Sequence, residues 1–400
     1  MSYFRVILIF LLIFLRCNTS TFTSGDINID FPEIEIPQIP FSEDQLQHIE
    51  KEIVGMLDKS HFNGNVLVAY KGYPIVRYSN GYRHFFKKEK LNHETVFQLA
   101  SVSKAFTAMA VLMLHQQQAI DIDDPLCKYI PEFPFEDITV KNLLQHTSGL
   151  QNYMYYVDNY WEKDNPLNYD DVLSLLIEHN ATLSFRPGKR HYYCNTGYVM
   201  LAMLVERISG MPFHQFMKLN IFNPLDMNHT FVWNQRTMDT ITNIATGFKR
   251  YKRYYTSVGH DPLDEISGDK SVYSTIDDML KWERAWSNNL LISDSLRNCA
   301  FTKAETGKKR LHDYGMGWRF AEIDLKPVIF HNGLWNGFTT SFHRFVEDSI
   351  TVIVLNNTNG KAPVLARQLY TKALKEIEAV KNLPKAEDRL LAQDSSFFMK

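Results

Sequence analysis

Three short polar segments of this chain carry side chains suited to acyl transfer. They occur in the order Ser101-Val102-Ser103-Lys104, Tyr193-Cys194-Asn195 and His331-Asn332-Gly333. A serine hydroxyl becomes a nucleophile when a neighbouring amine or phenol takes its proton, and an asparagine amide can hold a substrate carbonyl. Each segment is a weak signal alone, but together they predict a serine hydrolase that works through an acyl-enzyme.

Ser101 and Lys104 are expected at the start of a buried helix. Phe97 and Leu99 precede them, and a nearly unbroken apolar run extends from 105 to 114. Side chains three residues apart share one face of a helix, so the lysine amine can lie against the serine hydroxyl. Burial disfavours the charged form of an amine, which gives Lys104 a route to act as a base near neutral pH.

Tyr193, Asn195 and His331 are expected at the ends of regular elements, where catalytic groups are often displayed. Tyr193 and Asn195 precede an apolar helix pattern, and a phenol beside a lysine can relay the serine proton. His331 follows an apolar strand pattern, and Gly333 would let a substrate approach the backbone closely. With an ordinary pKa, His331 would be mostly neutral at pH 7.

Two other stretches match these spacings but not their context. Ser267-Gly268-Asp269-Lys270 repeats the serine–lysine spacing without a following apolar helix, so we expect Lys270 to be solvated. Tyr78-Ser79-Asn80 ends a predicted strand upstream of the nucleophile, where its residues fit a strand aromatic and turn formers. The surrounding sequence therefore favours Ser101 as the nucleophile and Tyr193 as the phenol that relays its proton.

Strand patterns lie towards both ends of the chain, and helical spacing dominates the middle. Two apolar strands that flank a glycine-containing turn predict a hairpin at 66–78. Because strands from the two ends must meet to bury their faces, we predict an α+β fold: one antiparallel sheet from both chain ends, flanked by helices, with a large, mainly helical insertion. Further strands are expected at 328–330, 339–345 and 351–355, and helices at 43–59 and 364–380.

The start of the chain predicts export. Arg5 is followed by ten apolar residues at 6–15, a run too short to span a bilayer but typical of a signal peptide. We therefore expect a periplasmic or extracellular protein without a stable transmembrane span. Cys17 is a possible lipid-anchor site, but the large charged Arg16 before it disfavours that reading.

Composition limits the remaining possibilities. The formal net charge is -2, from 43 basic and 45 acidic residues, which gives no electrostatic footprint for nucleic acid. Cys127, Cys194 and Cys299 are widely spaced, so we expect no metal site, no cofactor and at most one disulfide. The predicted organisation is a signal peptide at 1–20, an extended leader at 21–42, a hydrolase domain at 43–380 (α/β at about 43–120 and 265–380, helical at about 121–264) and a C-terminal tail at 381–400.

The chain resembles the serine beta-lactamase and penicillin-binding-protein superfamily, in the branch that contains class C beta-lactamases and D-peptidases. The resemblance runs from about residue 45 to 380, and its segments occur in family order. Beyond the three polar segments, the resemblance includes Ile138–Leu150, Pro187–Gly197, Tyr273–Trp282 and Tyr314–Trp318. It implies the same α+β fold and an acyl-transfer activity.

The resemblance also implies roles for individual residues. Ser101 would be the acylated nucleophile, Lys104 and Tyr193 its proton-handling partners, and Asn195 a substrate-positioning amide. The backbone N–H groups of Ser101 and Leu334 would form the oxyanion hole, beside Gly333. His331 stands where this branch has lysine or histidine, whereas His146 and Ser148 resemble a motif with a structural role.

One departure shapes the predicted substrate. Many members have Lys-Thr-Gly where this chain has His331-Asn332-Gly333, and a permanent cation suits the carboxylate of penicillins and D-alanyl peptides. We therefore expect an esterase or a D-amino-acid or D-alanyl peptidase, with weak beta-lactamase activity possible. The substrate would be a small ester, amide or peptide, with cell-wall fragments among the candidates. The alternative is a non-catalytic or slowly turning-over sensor that binds penicillin or peptidoglycan.

Overall fold

A six-stranded antiparallel sheet combines strands from both ends of the chain. The computed structural model describes residues 38–60, 62–162, 166–234, 241–252, 254–259 and 261–382. The strands are β1 (Gly64–Tyr70), β2 (Tyr73–Asn80), β3 (Tyr82–His84), β4 (Glu89–Lys90), β5 (Phe97–Gln98), β6 (Phe231–Val232), β7 (Phe248–Tyr251), β8 (Tyr254–Ser257), β9 (Val272–Ser274), β10 (Ala304–Thr306), β11 (Arg310–His312), β12 (Arg319–Ile323), β13 (Lys326–Trp335), β14 (Phe338–Phe345) and β15 (Ile350–Asn356). The sheet order is β12-β13-β14-β15-β1-β2.

The pairing of β1 with β15 joins the N-terminal strands of the sheet to its C-terminal strands. Val66 lies opposite Val354 in an antiparallel register, and every residue of both strands is buried. A strand buried on both faces needs packing on each side, because successive side chains point to opposite faces. The sheet is accordingly covered by helices on both faces.

The helices divide between the two faces of the sheet. In chain order they are α1 (Glu43–Lys59), α2 (Ser103–Gln116), α3 (Val140–Leu144), α4 (Tyr153–Tyr160), α5 (Tyr169–Glu178), α6 (Asn195–Ser209), α7 (Phe213–Met217), α8 (Ile276–Ser287), α9 (Asp294–Ala300) and α10 (Ala362–Lys381). Helices α1 and α10 cover one face, where Ile53 and Leu369 share a core with Val66. The opposite face packs against α2 and α8, through Phe106 and Trp282.

The predicted fold class is confirmed. The sheet is built from strands near both ends, and the connection between β5 and β9 is mainly helical, with α2 to α7 and the three short strands β6, β7 and β8. Helix α1 has the predicted bounds, and a capping box between Ser42 and Gln45 fixes its start. Tyr78 lies on β2, as expected, and donates a hydrogen bond to Asp58.

Several sequence predictions fall on residues that the structure does not describe. The signal peptide at 1–20 with Cys17, most of the leader at 21–42 and nearly all of the tail at 381–400 lie outside the described residues. Among the helices that the structure does describe, none combines the length and the apolar character needed to cross a bilayer. Cys127, Cys194 and Cys299 are free thiols.

Candidate active site

Ser101 lies on a tight turn that opens α2. Ala100, immediately before it, has a φ of 50°, a left-handed conformation that costs a non-glycine residue roughly 1–2 kcal/mol. Neighbouring strands hold this turn: Leu99 donates its N–H to the Val272 carbonyl at 2.8 Å and accepts the Thr340 hydroxyl at 2.8 Å. The packing thus stabilises a backbone conformation that displays the serine hydroxyl.

The Lys104 amine connects the nucleophile turn with a distant loop. Its side chain is fully buried, and Nζ lies 3.2 Å from Ser101 Oγ. Nζ also donates to the backbone carbonyl of Asp269 at 2.6 Å, and it lies 5.0 Å from the Tyr193 ring centre. When the amine is neutral, one N–H can serve the carbonyl while the lone pair faces the serine hydroxyl. This is the geometry that a general base requires.

Tyr193 and Asn195 lie at the start of α6, as the sequence predicted. His146 holds the residues on either side of Tyr193: the Cys194 N–H donates to His146 Nδ1 at 3.2 Å, and the Tyr192 N–H donates to the His146 carbonyl at 2.9 Å. The expected structural role of His146 fits these bonds. The Tyr193 hydroxyl and Asn195 Oδ1 are buried and have no hydrogen-bond partner among the described residues. Such atoms are rare in folded proteins and are available to a substrate.

The third polar segment lies on β13, beside the nucleophile turn. His331 and Gly333 are buried on one face, while Asn332 on the other face accepts hydrogen bonds from Ser341 and from the His343 ring. A Cβ added to Gly333 would lie 2.3 Å from the Leu99 carbonyl oxygen. Glycine is therefore required there, because β13 and the nucleophile turn touch.

His331 is held neutral. Burial is the main cause of a pKa well below 6.5, and the charges of Arg319 and Lys104 add to it. Nδ1 lies 2.8 Å from the Asn332 carbonyl and so donates, which leaves Nε2 to accept from the Tyr314 hydroxyl at 3.3 Å. The expectation of a mostly neutral histidine therefore agrees with its surroundings.

The end of β13 leaves space for a substrate. The pairing with β12 stops at Phe330, opposite Arg319, so within the described chain no strand flanks residues 332–335 on that side. The Leu334 side chain is 69% exposed at this open edge. The Ser101 and Leu334 N–H groups remain the predicted oxyanion donors.

Arg319 is a site residue that the sequence analysis missed. Its guanidinium carbon lies 4.8 Å from the Tyr193 ring centre and 5.6 Å from that of Tyr314. No carboxylate of the described residues pairs with it. In the sequence Arg319 directly follows Tyr314–Trp318, one of the segments that resemble the family, and this position was the sequence signal that could have pointed to it. The site therefore contains a fixed cation although His331 is neutral.

The prediction of a solvated Lys270 is wrong. Its side chain is only 2% exposed, donates to the Tyr153 hydroxyl at 2.6 Å and lies 3.3 Å from the Asp269 carboxylate. Local composition resembled a surface loop, but packing against α2 and α6 buries it: a Cβ on Gly268 would lie 2.3 Å from the Tyr198 carbonyl. This stretch supplies the carbonyl that binds Lys104.

No set of His, Cys, Asp and Glu side chains within the described ranges is arranged to hold a metal ion. Ser101, Lys104 and Tyr193 can carry out proton transfer and nucleophilic attack by a hydroxyl.

The tyrosines at 153–160 divide between the core and the surface: Tyr153 and Tyr156 are buried, whereas Tyr155 and Tyr160 are exposed.

Comparison with known proteins identifies the family. The family model described as Beta-lactamase matches residues 47–375. The chain belongs to the beta-lactamase family. It is 31% identical over 322 residues to penicillin-binding protein 4* of Bacillus subtilis (strain 168), covering 78% of this chain and 71% of that protein. It is 27% identical over 344 residues to protein flp of Staphylococcus aureus (strain N315), covering 82% of this chain and 66% of flp.

Solved structures of other members share the fold. FmtA from Staphylococcus aureus aligns with a TM-score of 0.72 at 24% identity, covering 86% of this chain and 93% of FmtA. The D-amino acid amidase from Ochrobactrum anthropi SV3, complexed with L-phenylalanine, aligns with a TM-score of 0.71 at 19% identity, covering 85% of this chain and all of the amidase chain. At these identities the likeness shows the fold alone.

The buried histidines make the stability of this protein depend on pH. Burial holds the pKa of His146 and His331 well below 6.5 and lowers that of His343 to about 3. Below pH 6.5 the unfolded chain binds protons at these positions and the folded chain does not, so acid favours unfolding. The three together should cost about 4 kcal/mol between pH 7.5 and 5.5. Urea unfolding at the two pH values measures this.

The variant His343→Gln provides the control, because the glutamine amide can still donate to Asn332. It should remove about a third of the fall in unfolding free energy. An unfolding free energy that is the same at both pH values would show that these histidines are not buried in neutral form.

The Asp269–Lys270 pair should be needed for stability. In Lys270→Met the Asp269 carboxylate stays buried without its cation, which should cost about 3–5 kcal/mol of unfolding free energy. The double variant Asp269→Leu/Lys270→Met should recover part of this loss. Lys303→Met, which breaks an exposed ion pair with Asp313, is the matched control and should change little. Denaturant unfolding measures all three; a wild-type value for Lys270→Met would contradict the burial.

Proposed function

We propose that this protein is an exported serine hydrolase that forms an acyl-enzyme on Ser101 from a small ester or amide and releases the acyl group to water. The observation that supports it most strongly is the position of the buried Lys104 amine, 3.2 Å from Ser101 Oγ and hydrogen-bonded to the Asp269 carbonyl. Membership of the beta-lactamase family, whose members are generally serine hydrolases, supports the same reaction class.

The proposed acylation step uses the groups described above. Lys104, with Tyr193, removes the Ser101 proton as the oxygen attacks the substrate carbonyl carbon. The backbone N–H groups of Ser101 and Leu334 stabilise the negative charge that develops on the carbonyl oxygen. The bond to the leaving alcohol or amine then breaks, and the proton passes to that group through the Tyr193 hydroxyl. Water attacks the resulting ester in a second step, which restores Ser101.

The polar groups around Ser101 restrict the substrate. Asn195 Oδ1 and the Tyr193 hydroxyl offer two unpaired buried atoms to a polar group next to the scissile bond. Neutral His331 provides no permanent cation at the position where many family members have lysine, and the Arg319 guanidinium lies against the Tyr193 and Tyr314 rings instead. We infer that small acyl esters and D-aminoacyl amides or peptides are better substrates than penicillins. The shared fold with a D-amino acid amidase is consistent with this class.

The assignment of Ser101 is tested with a fluorophosphonate probe, which labels activated serines covalently. Wild type should be labelled, and Ser101→Ala should not, because the variant lacks the hydroxyl that Lys104 and Tyr193 activate. Ser267→Ala is the matched control, since it changes the serine of the second Ser-x-x-Lys match and should leave labelling intact. Equal labelling of wild type and Ser101→Ala would refute the assignment.

Turnover separates the hydrolase from a binding sensor. With p-nitrophenyl acetate or a D-aminoacyl amide in excess, the hydrolase should release many equivalents of product per protein. Release of one equivalent, with a stable acyl group retained on Ser101, would instead favour the sensor. An inert protein would release no product and would keep its unmodified mass.

A further inference from the structure

The hairpin formed by β7 and β8 contacts the rest of the domain at its base and through the Tyr255 ring. At the base, Phe248 donates its N–H to the Asn357 carbonyl, and the Arg250 N–H donates to Asn359 Oδ1. Tyr255 stacks on Phe85 of the β3–β4 turn, with ring centres 3.9 Å apart. One face of the hairpin is therefore attached to the body of the protein.

The opposite face of this hairpin exposes two aromatic rings. Tyr251 and Tyr254 lie directly across from each other in the antiparallel register, so they share a face, and they are 72% and 77% exposed. They alternate with Phe248 and Tyr255, which face the body. Rings this exposed bury little surface within the protein, and an exposed aromatic cluster with polar surroundings marks an interaction site.

Positive charge surrounds these two rings. Lys249, Arg250 and Lys252 are exposed, and the sequence from 248 to 257 contains no acidic residue. No ion pair joins these three cations to a described carboxylate; Arg250 instead donates to the Lys252 carbonyl at 3.1 Å. Glu89 on the adjacent β3–β4 hairpin is paired with Arg83. A chain with a net charge of -2 thus concentrates positive charge at one tip.

We propose that the tip of the β7–β8 hairpin (Lys249, Arg250, Tyr251, Lys252 and Tyr254) docks on the surface of a bilayer that contains anionic phospholipid. Tyrosine rings prefer the headgroup region, where the ring is in an apolar setting and the hydroxyl stays wet. Lysine and arginine beside them are attracted to anionic headgroups. An exposed face with paired aromatics fits a flat, deformable surface better than a polyanion, which is usually bound in a groove that follows its backbone.

Docking at this tip would bring the active site close to the membrane. The hairpin base contacts the turn after β13, since a Cβ on Gly337 would lie 2.5 Å from the Phe248 nitrogen. That turn follows Leu334 at the open edge of β13. Substrates at or near a membrane surface would therefore reach Ser101 readily, but the docking itself does not depend on the proposed reaction.

Vesicle flotation of the purified full chain tests the proposal. Wild type should float with phosphatidylcholine vesicles that contain phosphatidylglycerol and not with phosphatidylcholine alone. Each lysine near the surface contributes roughly fivefold to binding, so Lys249→Gln/Lys252→Gln should bind about 25-fold more weakly. Tyr251→Ser/Tyr254→Ser should also bind more weakly, and both variants should keep the wild-type melting temperature.

Lys308→Gln/Lys309→Gln is the matched control, because it removes two exposed lysines from a different turn and changes the net charge equally. It should bind vesicles as wild type does. Equal loss in this control, binding that survives in both hairpin variants, or the absence of any vesicle binding would overturn the proposal. Binding to soluble polyphosphate without binding to vesicles would also overturn it and assign the tip to a polyanion.

Discussion

A fully buried lysine amine needs a fixed hydrogen-bond acceptor, and in this protein the Asp269 carbonyl provides it. A buried amine without partners would lose several kcal/mol of solvation. The carbonyl satisfies one N–H of Lys104 and orients the nitrogen towards Ser101. The site consequently depends on the loop around Asp269 as much as on the helix that carries the nucleophile.

The rest of the fold fixes the positions of the loop around Asp269 and of the turn that carries Ser101 relative to each other. Lys270 pairs with the Asp269 carboxylate and donates a hydrogen bond to the Tyr153 hydroxyl, so these buried polar groups have partners within the loop region. On the other side, Thr340 on β14 holds the turn before Ser101, and Gly333 lets β13 approach it. The antiparallel sheet from both chain ends is what brings a strand near residue 333 to a helix that begins at 103. Fold and chemistry are linked at this contact.

The sequence predicts what is encoded locally. The apolar run after Ser101 predicts the buried helix that carries Lys104, and the period-two strands near both ends predict one shared sheet; the structure has both. What local patterns cannot show is a partner that arrives from far along the chain. The acceptor of Lys104 is the Asp269 carbonyl, 165 residues later in the chain. Nothing in the local sequence shows that this loop packs against the nucleophile helix, so Lys270 beside it was expected in solvent. Arg319 was missed because its position after Tyr314–Trp318 gives no role by itself, and its place beside Tyr193 depends on the fold.

The most direct test of the central claim is the rate at which Ser101 is acylated when the buried amine is removed. Lys104→Met keeps the volume and burial of the side chain but has no proton acceptor. Intact-mass measurement of the acyl-enzyme formed from p-nitrophenyl acetate should show acylation slowed by about 10²–10⁴-fold relative to wild type. Acylation of a folded Lys104→Met variant at the wild-type rate would contradict the claim that this amine activates the nucleophile.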